Sequence, residues 1–370
     1  MKFNVNQQDL QKSLSYCQGV IEKRSTLPIL SNILLDASNS KLTITATDLD
    51  IIFINEIPNV EILEEGKTTT SSSVIYDIIR KIPPGNKINL STSENNKLKI
   101  KSEKSIYNLN CIDPSEFPLL DENFNDNEFS LNSNEFLRLL NKSKFSISND
   151  ETRHYLTGIF LHQVISDDKS YLTAAATDSH RMSISKIKLE NKINFEPIIL
   201  PKKTIYQLCT LLENHDSKIK ISNIKTKIKI KFENSTVISK LIDGKFPNYI
   251  QVVPKDNQKK LEIDLKPFLN SVDRVASVSL DKKDSVKFNL TKGNLNLSVN
   301  NSNSGDGNED LSVDFDHDLE ISFNSRYLID VASQMEGQKI DIYLKDISSP
   351  ALIRDPSDFN SLFIIMPMKG

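Results

Sequence analysis

Residues 129–147 read Phe-Ser-Leu-Asn-Ser-Asn-Glu-Phe-Leu-Arg-Leu-Leu-Asn-Lys-Ser-Lys-Phe-Ser-Ile, and their pattern decides the fold. Phe129 and Leu131 flank a polar residue, as on one face of a strand. From Phe136 onward, Phe136, Leu140, Ser143 and Ile147 recur three and four apart, which is one buried helical face. The same opening occurs twice more. Phe3-Asn4-Val5 runs into Leu10, Leu14, Cys17 and Ile21, and Leu261-Glu262-Ile263 runs into Leu265, Leu269, Val272 and Ala276. Each third also holds a second apolar helix pattern: Val74, Ile75, Ile78, Ile79 and Ile82; then Ile205, Leu208, Cys209 and Leu212; then Leu328, Val331, Ala332 and Met335. Between the helices lie period-two strands, such as Leu42/Ile44/Ala46, Ile228/Ile230/Phe232 and Val286/Phe288/Leu290. The last of these turns through Lys292-Gly293-Asn294 into Leu295/Leu297/Val299, a hairpin signal.

The thirds close alike as well. Asp113-Pro114-Ser115-Glu116-Phe117-Pro118 ends the first, Asp243-Gly244-Lys245-Phe246-Pro247 the second, and Ile364-Ile365-Met366-Pro367-Met368 the third. Ala46-Thr47-Asp48 is echoed by Ala176-Thr177-Asp178. Matching order in successive thirds marks an internal repeat. The expectation is an α+β chain of three repeated domains, at 1–122, 128–247 and 248–370, each with two helices and two antiparallel sheets. A chain of 370 residues exceeds one ordinary core, in keeping with several domains.

Composition narrows the function. A hydrophobic share of 38% and a charged share of 26% fit a globular protein, and no apolar run is long enough to span a bilayer. Cys17, Cys111 and Cys209 are odd in number and widely spaced, without a CxxC, which argues against a disulfide framework or zinc site and for a reducing cytoplasm. The net charge of −3 gives no general attraction for nucleic acid. Charge is nevertheless uneven: the six helix windows together hold thirteen basic and seven acidic residues. Basic helices in an acidic protein can offer one cationic surface while the remainder repels a polyanion.

Catalytic readings are weak. Asp178, Ser179 and His180 are adjacent in sequence, whereas a triad needs convergence in space, and no G-x-S-x-G elbow surrounds them. Asp48 and Asp178 could be imagined as a metal pair, but equivalent places in two repeats favour turn hydrogen bonding. The segment Asn300–Asp310 lacks EF-hand spacing and reads as a polar loop between strands. His162, His215 and His317 read as surface positions. A nuclease or hydrolase using Asp178 and His180 and a peptide-binding scaffold without DNA stand as two readings from different classes.

Several stretches together resemble the bacterial DNA polymerase III beta subunits, the beta sliding clamps. They are Met1-Lys2-Phe3, Arg24-Ser25-Thr26-Leu27-Pro28-Ile29-Leu30-Ser31-Asn32, Ala46-Thr47-Asp48-Leu49, Ala176-Thr177-Asp178-Ser179-His180-Arg181, Lys240-Leu241-Ile242-Asp243-Gly244-Lys245-Phe246-Pro247 and Met366-Pro367-Met368. The resemblance implies the DNA clamp fold, closed head to tail by two chains into a ring around duplex DNA, with no catalysis, cofactor or metal. It implies as partners double-stranded DNA without sequence preference, a second copy of the chain, the polymerase III alpha subunit, the clamp loader and other proteins with a clamp-binding motif, and no membrane. It places a partner-peptide cleft at Leu156, Thr177, Ser179, His180, Arg181, Met182, Pro247, Val252, Asn324, Tyr327, Ile347, Ser349, Ile364, Ile365, Met366, Pro367 and Met368. Ser179, Gln251 and Lys283 depart from the family's usual residues there. It places DNA contacts at Arg24, at the loop residues Arg153, His154 and Tyr155, and on the inner helices, where Arg80, Arg138 and Lys202 are basic. It places the dimer interface at Tyr107 and Leu109 on one side and Ser277 and Val278 on the other.

Overall fold

The computed structural model describes residues 1–22, 26–93, 96–119, 124, 128–213, 215–279 and 285–368. The first repeat holds β1 (Lys2–Asn6), α1 (Gln7–Cys17), β2 (Asn32–Ser38), β3 (Lys41–Thr47), β4 (Ile51–Pro58), β5 (Glu61–Glu64), β6 (Gly66–Ser71), α2 (Ser72–Ile79), β7 (Lys87–Ser93), β8 (Lys97–Ser102) and β9 (Ser105–Asn110). The second holds β10 (Glu128–Asn132), α3 (Ser133–Lys144), β11 (Gly158–Ser166), β12 (Lys169–Thr177), β13 (Arg181–Lys188), β14 (Ile198–Pro201), α4 (Lys202–Leu212), β15 (Lys218–Ile224), β16 (Lys227–Phe232) and β17 (Ser235–Lys240). The third holds β18 (Lys259–Asp264), α5 (Leu265–Ala276), β19 (Ser285–Thr291), β20 (Asn294–Asn301), β21 (Gly305–Ser312), β22 (Leu319–Asn324), α6 (Ser325–Ala332), β23 (Lys339–Leu344), β24 (Ala351–Asp355) and β25 (Asp358–Ile365).

The strands form four antiparallel sheets, ordered β5-β1-β7-β8-β9, β10-β15-β16-β17-β4-β3-β2-β6, β14-β11-β12-β13-β25-β24-β23-β18 and β21-β20-β19-β22. The two long sheets ignore the repeat boundaries. β17 pairs with β4, Val237 facing Phe53, and β25 pairs with β13, Phe363 facing Ser183. The middle repeat therefore gives one sheet to each side, and the chain packs as two compact units that divide it. One unit is residues 1–134, 194–196 and 206–241; the other is 135–193, 197–205 and 242–370. Sequence periodicity marks repeats, whereas these pairings join residues far apart in the chain.

The helices form as their apolar spacing requires. Leu10, Leu14 and Cys17 of α1 and Phe136, Leu140 and Ser143 of α3 are fully buried. Asn6 caps α1, its side-chain oxygen accepting from the Gln8 N–H at 2.9 Å, which satisfies one of the donors left over at a helix start. Three expectations need correction. In α2 the buried stripe is Ile75, Ile79 and, just beyond, Ile82, while Val74 is 44% exposed, because eight residues present only a narrow face. In α5 the core residue is Phe268, with Val272 and Val275; Leu265 and Leu269 only flank it. The stretch 300–310 is not mainly loop: Ser302 to Ser304 make the turn, and Gly305–Ser312 is an edge strand. The expected hairpin is present, with Gly293 at φ +76, a conformation glycine adopts freely.

Among the described residues no helix is long and apolar enough to cross a membrane, and no group of His, Cys, Asp and Glu could hold a metal ion. Cys17, Cys111 and Cys209 form no disulfide among the described residues.

Candidate functional site

Two turns of the same construction follow β3 and β12. In the first, the Thr47 hydroxyl donates to the Ile51 carbonyl at 2.9 Å and accepts from the Leu49 N–H, while Asp48 Oδ1 accepts from the N–H groups of Asp50 and Ile51. In the second, Thr177 donates to the Arg181 carbonyl at 2.7 Å and accepts from the Ser179 N–H, while Asp178 Oδ1 accepts from His180 and Arg181. Both aspartates therefore cap a turn through one carboxylate oxygen, as the repeat implied. The third residue is forced to positive φ in each: Leu49 at +79 and Ser179 at +78.

The second turn borders an apolar surface. Beneath it Leu156, Met182 and Ile364 belong to one buried cluster with Ala175, Ile199, Phe246, Tyr249 and Leu352. Above it Val252, Ile347, Met366 and Met368 are 44%, 65%, 39% and 37% exposed, and the neighbouring Ile250 is 58% exposed. Exposed thioether and aliphatic side chains over a packed floor suit a short apolar segment. The Met366 N–H donates to the His180 carbonyl at 2.8 Å, so the C-terminal end of β25 is stitched to the turn. Ser349 donates both its N–H and its hydroxyl to Asp346, whose carboxylate is held down to about 2, chiefly by the Ser348 N–H. That turn carries Ile347 outward. Ile365 lies fully buried below, and Pro247 is exposed on the rim.

Other expected cleft residues act by positioning. Arg181 is only 10% exposed. Its Nε donates to Asp178 at 3.0 Å, its Nη1 to Asp330 at 2.6 Å, and its guanidinium lies over the Tyr327 ring at 4.3 Å. It clamps β13 to α6 and has little to offer a visitor. Asn324 caps α6, accepting from the Tyr327 N–H at 3.2 Å. Sequence reasoning missed Phe246 and Tyr249 as floor, Asp178 and Asp330 as the Arg181 clamp, and the aromatic stack below. There Phe160 stacks on His162 and on Phe246, and the Tyr249 hydroxyl meets His162 Nε2 at 2.9 Å. Burial pushes His162 down to about 4 and Tyr249 up to about 12. His162 is thus half-buried and His215 interior, 7% exposed; of the three histidines read as surface positions, His317 is the exposed one.

The expected DNA residues separate. Arg24, like Lys283, lies outside the described residues. Arg80 is half exposed and paired with Asp77 at 2.9 Å. Arg138 is ion-paired: its Nε binds Glu336 at 2.7 Å and its Nη2 reaches Asp358 at 2.6 Å. Lys202 donates to Asn149 at 2.6 Å. In the turn 151–156, Arg153 Nε donates to Asp150 at 2.8 Å and its Nη1 to the Ser179 hydroxyl at 2.6 Å, while His154 Nε2 meets the Asp243 carbonyl at 3.0 Å. Tyr155 packs on the apolar cluster. Each of these three side chains also contacts the cleft walls.

β9 and β21 each end a sheet, as β5, β6, β10, β14, β18 and β22 also do. β9 has no neighbour beyond β8, and Ile106 and Tyr107 on it are 52% and 37% exposed. Leu109 and Tyr107 face the same side as the buried Leu98 and Ile100 opposite them. β21 has no neighbour beyond β20, and Val278, just after α5, covers it so closely that a Cβ at Gly307 would stand 2.8 Å from Val278 Cγ2. Ser277 closes the end of α5, its hydroxyl donating to the Asp273 carbonyl.

Family comparison covers nearly the whole chain. Residues 1–121 match the N-terminal, 130–248 the central and 250–369 the C-terminal domain of the DNA polymerase III beta subunit. The chain is 36% identical over 372 residues to the beta sliding clamp of Caulobacter vibrioides and 33% over 384 to that of Rickettsia felis, covering 100% of both proteins in each case. Among solved structures it resembles the DNA polymerase sliding clamp from Caulobacter crescentus, with TM-score 0.95, 35% identity and 100% of both chains covered. It likewise resembles the sliding clamp of Bartonella birtlesii bound to griselimycin, with TM-score 0.96, 36% identity and 100% of both chains.

Proposed function

This chain belongs to the DNA polymerase III beta subunit family, the beta sliding clamps, and from that membership we propose how its own residues close a ring, hold DNA and dock partners. It is a DNA sliding clamp, a replication accessory that confers processivity on the polymerase and performs no catalysis itself. Its three clamp domains are taken as 1–122, 128–247 and 248–370, and its working compartment as the cytoplasm.

The observation that carries the ring is the repeat of one seam. β17 meets β4 and β25 meets β13 in the same register, Ser235 opposite Asn55 and Ser361 opposite Ser185. β9 holds the place of β17 and β25 in the first repeat, and β21 holds the place of β4 and β13 in the third. Each ends its sheet with its outer edge without a neighbour among the described strands, and an exposed edge is a template for another chain. The third seam then forms between two copies, β9 of one on β21 of the other, twice per ring. Carrying the register across puts Tyr107 opposite Gly307 and Ser105 opposite Glu309. The large-on-small match has a precedent in Phe363 opposite Ser183. Glycine leaves room for Tyr107 beside Val278, and Leu109 follows on the same face.

Inside such a ring the helices present a modest cationic surplus, and phosphate contacts carry no base readout, so the clamp can move along the duplex. Exposed Lys12 and Lys266, with Arg80 and Lys202, are better placed for this than Arg138. The apolar cleft around Leu156, Met182, Val252, Ile347, Met366 and Met368 takes short peptide ends of the polymerase alpha subunit, the clamp loader and other clamp-binding proteins.

Topology, rather than affinity, is what retains DNA in this reading. Clamp loaded on nicked circular DNA should co-elute with it in gel filtration at salt where oligonucleotide binding is undetectable, because each neutralised phosphate makes direct binding salt-sensitive. One restriction cut should release it. Retention on the linear product would sink the ring reading.

A further inference from the structure

We propose that the lysine-rich face of β15, β16 and β17, on the side of the sheet opposite α1, is a nucleic-acid site apart from the helices, one that takes the phosphate backbone of a single strand. It goes beyond the ring and cleft readings and uses a different surface.

Side chains alternate along these strands. Ile221, Ile230 and Val237 are buried on the face that continues into Phe53, against which Tyr16 of α1 packs. Lys218, Lys220, Lys227, Lys229, Lys231 and Lys240 occupy the alternate positions and so the other face. The ladder sets Lys220 opposite Lys231 and Lys227 opposite Lys240. Like charges directly opposite cost stability, so solvation of a sheet face alone does not call for them. Two carboxylates meet the block, Glu128 at Lys220 and Asp50 at Lys240, both at 3.1 Å. Lys229 Nζ lies 4.4 Å from the centre of the Phe124 ring. Lys218 and Lys231 are exposed and have no acidic partner among the described residues.

The seam of β25 with β13 shows that the fold does not require lysine here. The Lys240 N–H donates to the Asp50 carbonyl as the Met366 N–H donates to the His180 carbonyl, both at 2.8 Å. Lys229 stands opposite Ile238 as Leu352 stands opposite Ile364. Met366 and Leu352 belong to the apolar cleft and its floor. At equivalent places one seam offers thioether and aliphatic groups and the other offers ammonium groups.

Charge selects a polyanion, and packing selects which one. Ile238 and Ile52, the apolar side chains in the same row as Lys229, are 0% and 3% exposed, so the block gives a peptide no apolar anchor. A phosphate backbone needs only cations. Lysines two apart on β16 stand about 6.8 Å from each other, and neighbouring strands lie about 4.8 Å apart. A flexible single strand can lay successive phosphates across such a grid, whereas a rigid duplex meets a sheet face along a narrow line. Cations therefore gather on this sheet as well as on the helices, where the sequence placed them.

The test is fluorescence anisotropy of an oligothymidylate with the full-length protein across a salt series. Each phosphate contact on a single strand adds about 0.7 to the slope of log affinity against log salt. Lys220→Gln with Lys231→Gln should lower that slope by about 1.4, the loss of two contacts. Its melting temperature should hold, because a surface ion pair is lost as a like-charged pair is relieved. An unchanged slope in the double variant, or an equal loss for a duplex of the same length, overturns the proposal. So does an oligoglutamate that binds the wild type as tightly as the oligothymidylate and loses affinity with the same lysines, since the partner would then be an acidic protein. Retention on nicked circular DNA, which tests the ring, should be the same for the double variant and the wild type, so the two readings fail separately.

Discussion

The seams β17·β4 and β25·β13 share one backbone register yet are sealed by different chemistry. At the first, the Tyr16 hydroxyl stands 3.4 Å from His215 Nε2, and His215 Nδ1 meets Glu233 at 2.9 Å. Alongside, Ser13 donates to the Asn55 side chain, which donates to the Ser235 hydroxyl at 2.9 Å. At the second, helix position 142 takes the place of 16. Lys142 Nζ, 4% exposed, donates to the Gln334 carbonyl and faces Glu336 at 3.1 Å and Asp358 at 3.6 Å, with Arg138 closing the cluster. Ser185 and Ser361 pair at 2.9 Å where Asn55 and Ser235 pair in the first. Backbone pairing fixes where repeats meet, and side chains set how firmly. Aromatic and polar contacts seal one boundary. Buried charge seals the other, which also carries the cleft.

The largest expected difference follows from burial. Lys142→Met keeps the stem but leaves Asp358, 3% exposed, short of one cation and orphans the Gln334 carbonyl. Removing one member of a buried ion group costs about 3 kcal/mol. It should appear as lost hydrogen-exchange protection of β25 amides, with β17 amides unaffected. Equal loss at both seams would show that the cluster does not act locally. Acid should open the same seam. The carboxyls of Asp358 and Glu336 are held below their usual range by their hydrogen-bond and cationic partners, with burial opposing. A depressed folded-state value gives stability present at neutral pH and lost as pH falls through the carboxylate range.

The cleft comes next. Leu156, 3% exposed, supports its floor and Met366, 39% exposed, its lip. Leu156→Ala with Met366→Ala should weaken an apolar-ended peptide by about 2–4 kcal/mol if both are anchors. Anisotropy on the double variant measures it, and unchanged affinity would move the site away from the second seam.

The seam between copies extends the series. Leu109→Lys places an ammonium where β9 should meet β21 over Val278, and a charge buried without a partner is costly. Sedimentation at low micromolar concentration should report monomers. An unchanged dimer mass would mean that the third seam does not follow the register of the other two.

What the sequence disclosed and what it hid divide along the same line. Local periodicity showed the strand–helix openings at Phe3, Phe129 and Leu261, and the Thr47-Asp48 echo at Thr177-Asp178 announced two equal turns. The helix register of α5 was misread because Leu265 and Leu269 fit the same spacing as Phe268 with Val272. Contacts between distant residues were beyond local pattern. Nothing near Ser235 announces Asn55, and nothing near Arg153 announces Ser179. Arg138 was counted among the basic DNA-facing residues, and its partners Glu336 and Asp358 lie two hundred residues on. Charge pattern counts cations without revealing which are already spoken for.

The smallest expected effect tests whether the first seam depends on its hydroxyl at all. Tyr16→Phe removes only the contact to His215, which at 3.4 Å is long for a hydrogen bond between such groups. The ring remains, edge-on to Phe53 at 5.9 Å, so packing is preserved. His215 keeps Glu233 on its other nitrogen, and the adjoining cavity of about 440 Å³, lined by Lys12, Tyr16 and Asn55 among others, is wide enough for water to serve the vacated position. The cost should be about 0.5 kcal/mol, the low end for a neutral hydrogen bond, read as a slight loss of protection at β17 amides. Lys142 has no such fallback: it is 4% exposed and the Asp358 carboxylate facing it is 3% exposed. A loss at β17 matching that of Lys142→Met at β25 would mean that the hydroxyl is an integral part of a tight polar chain, and the distinction between a tolerant seam and a charge-locked one would fall.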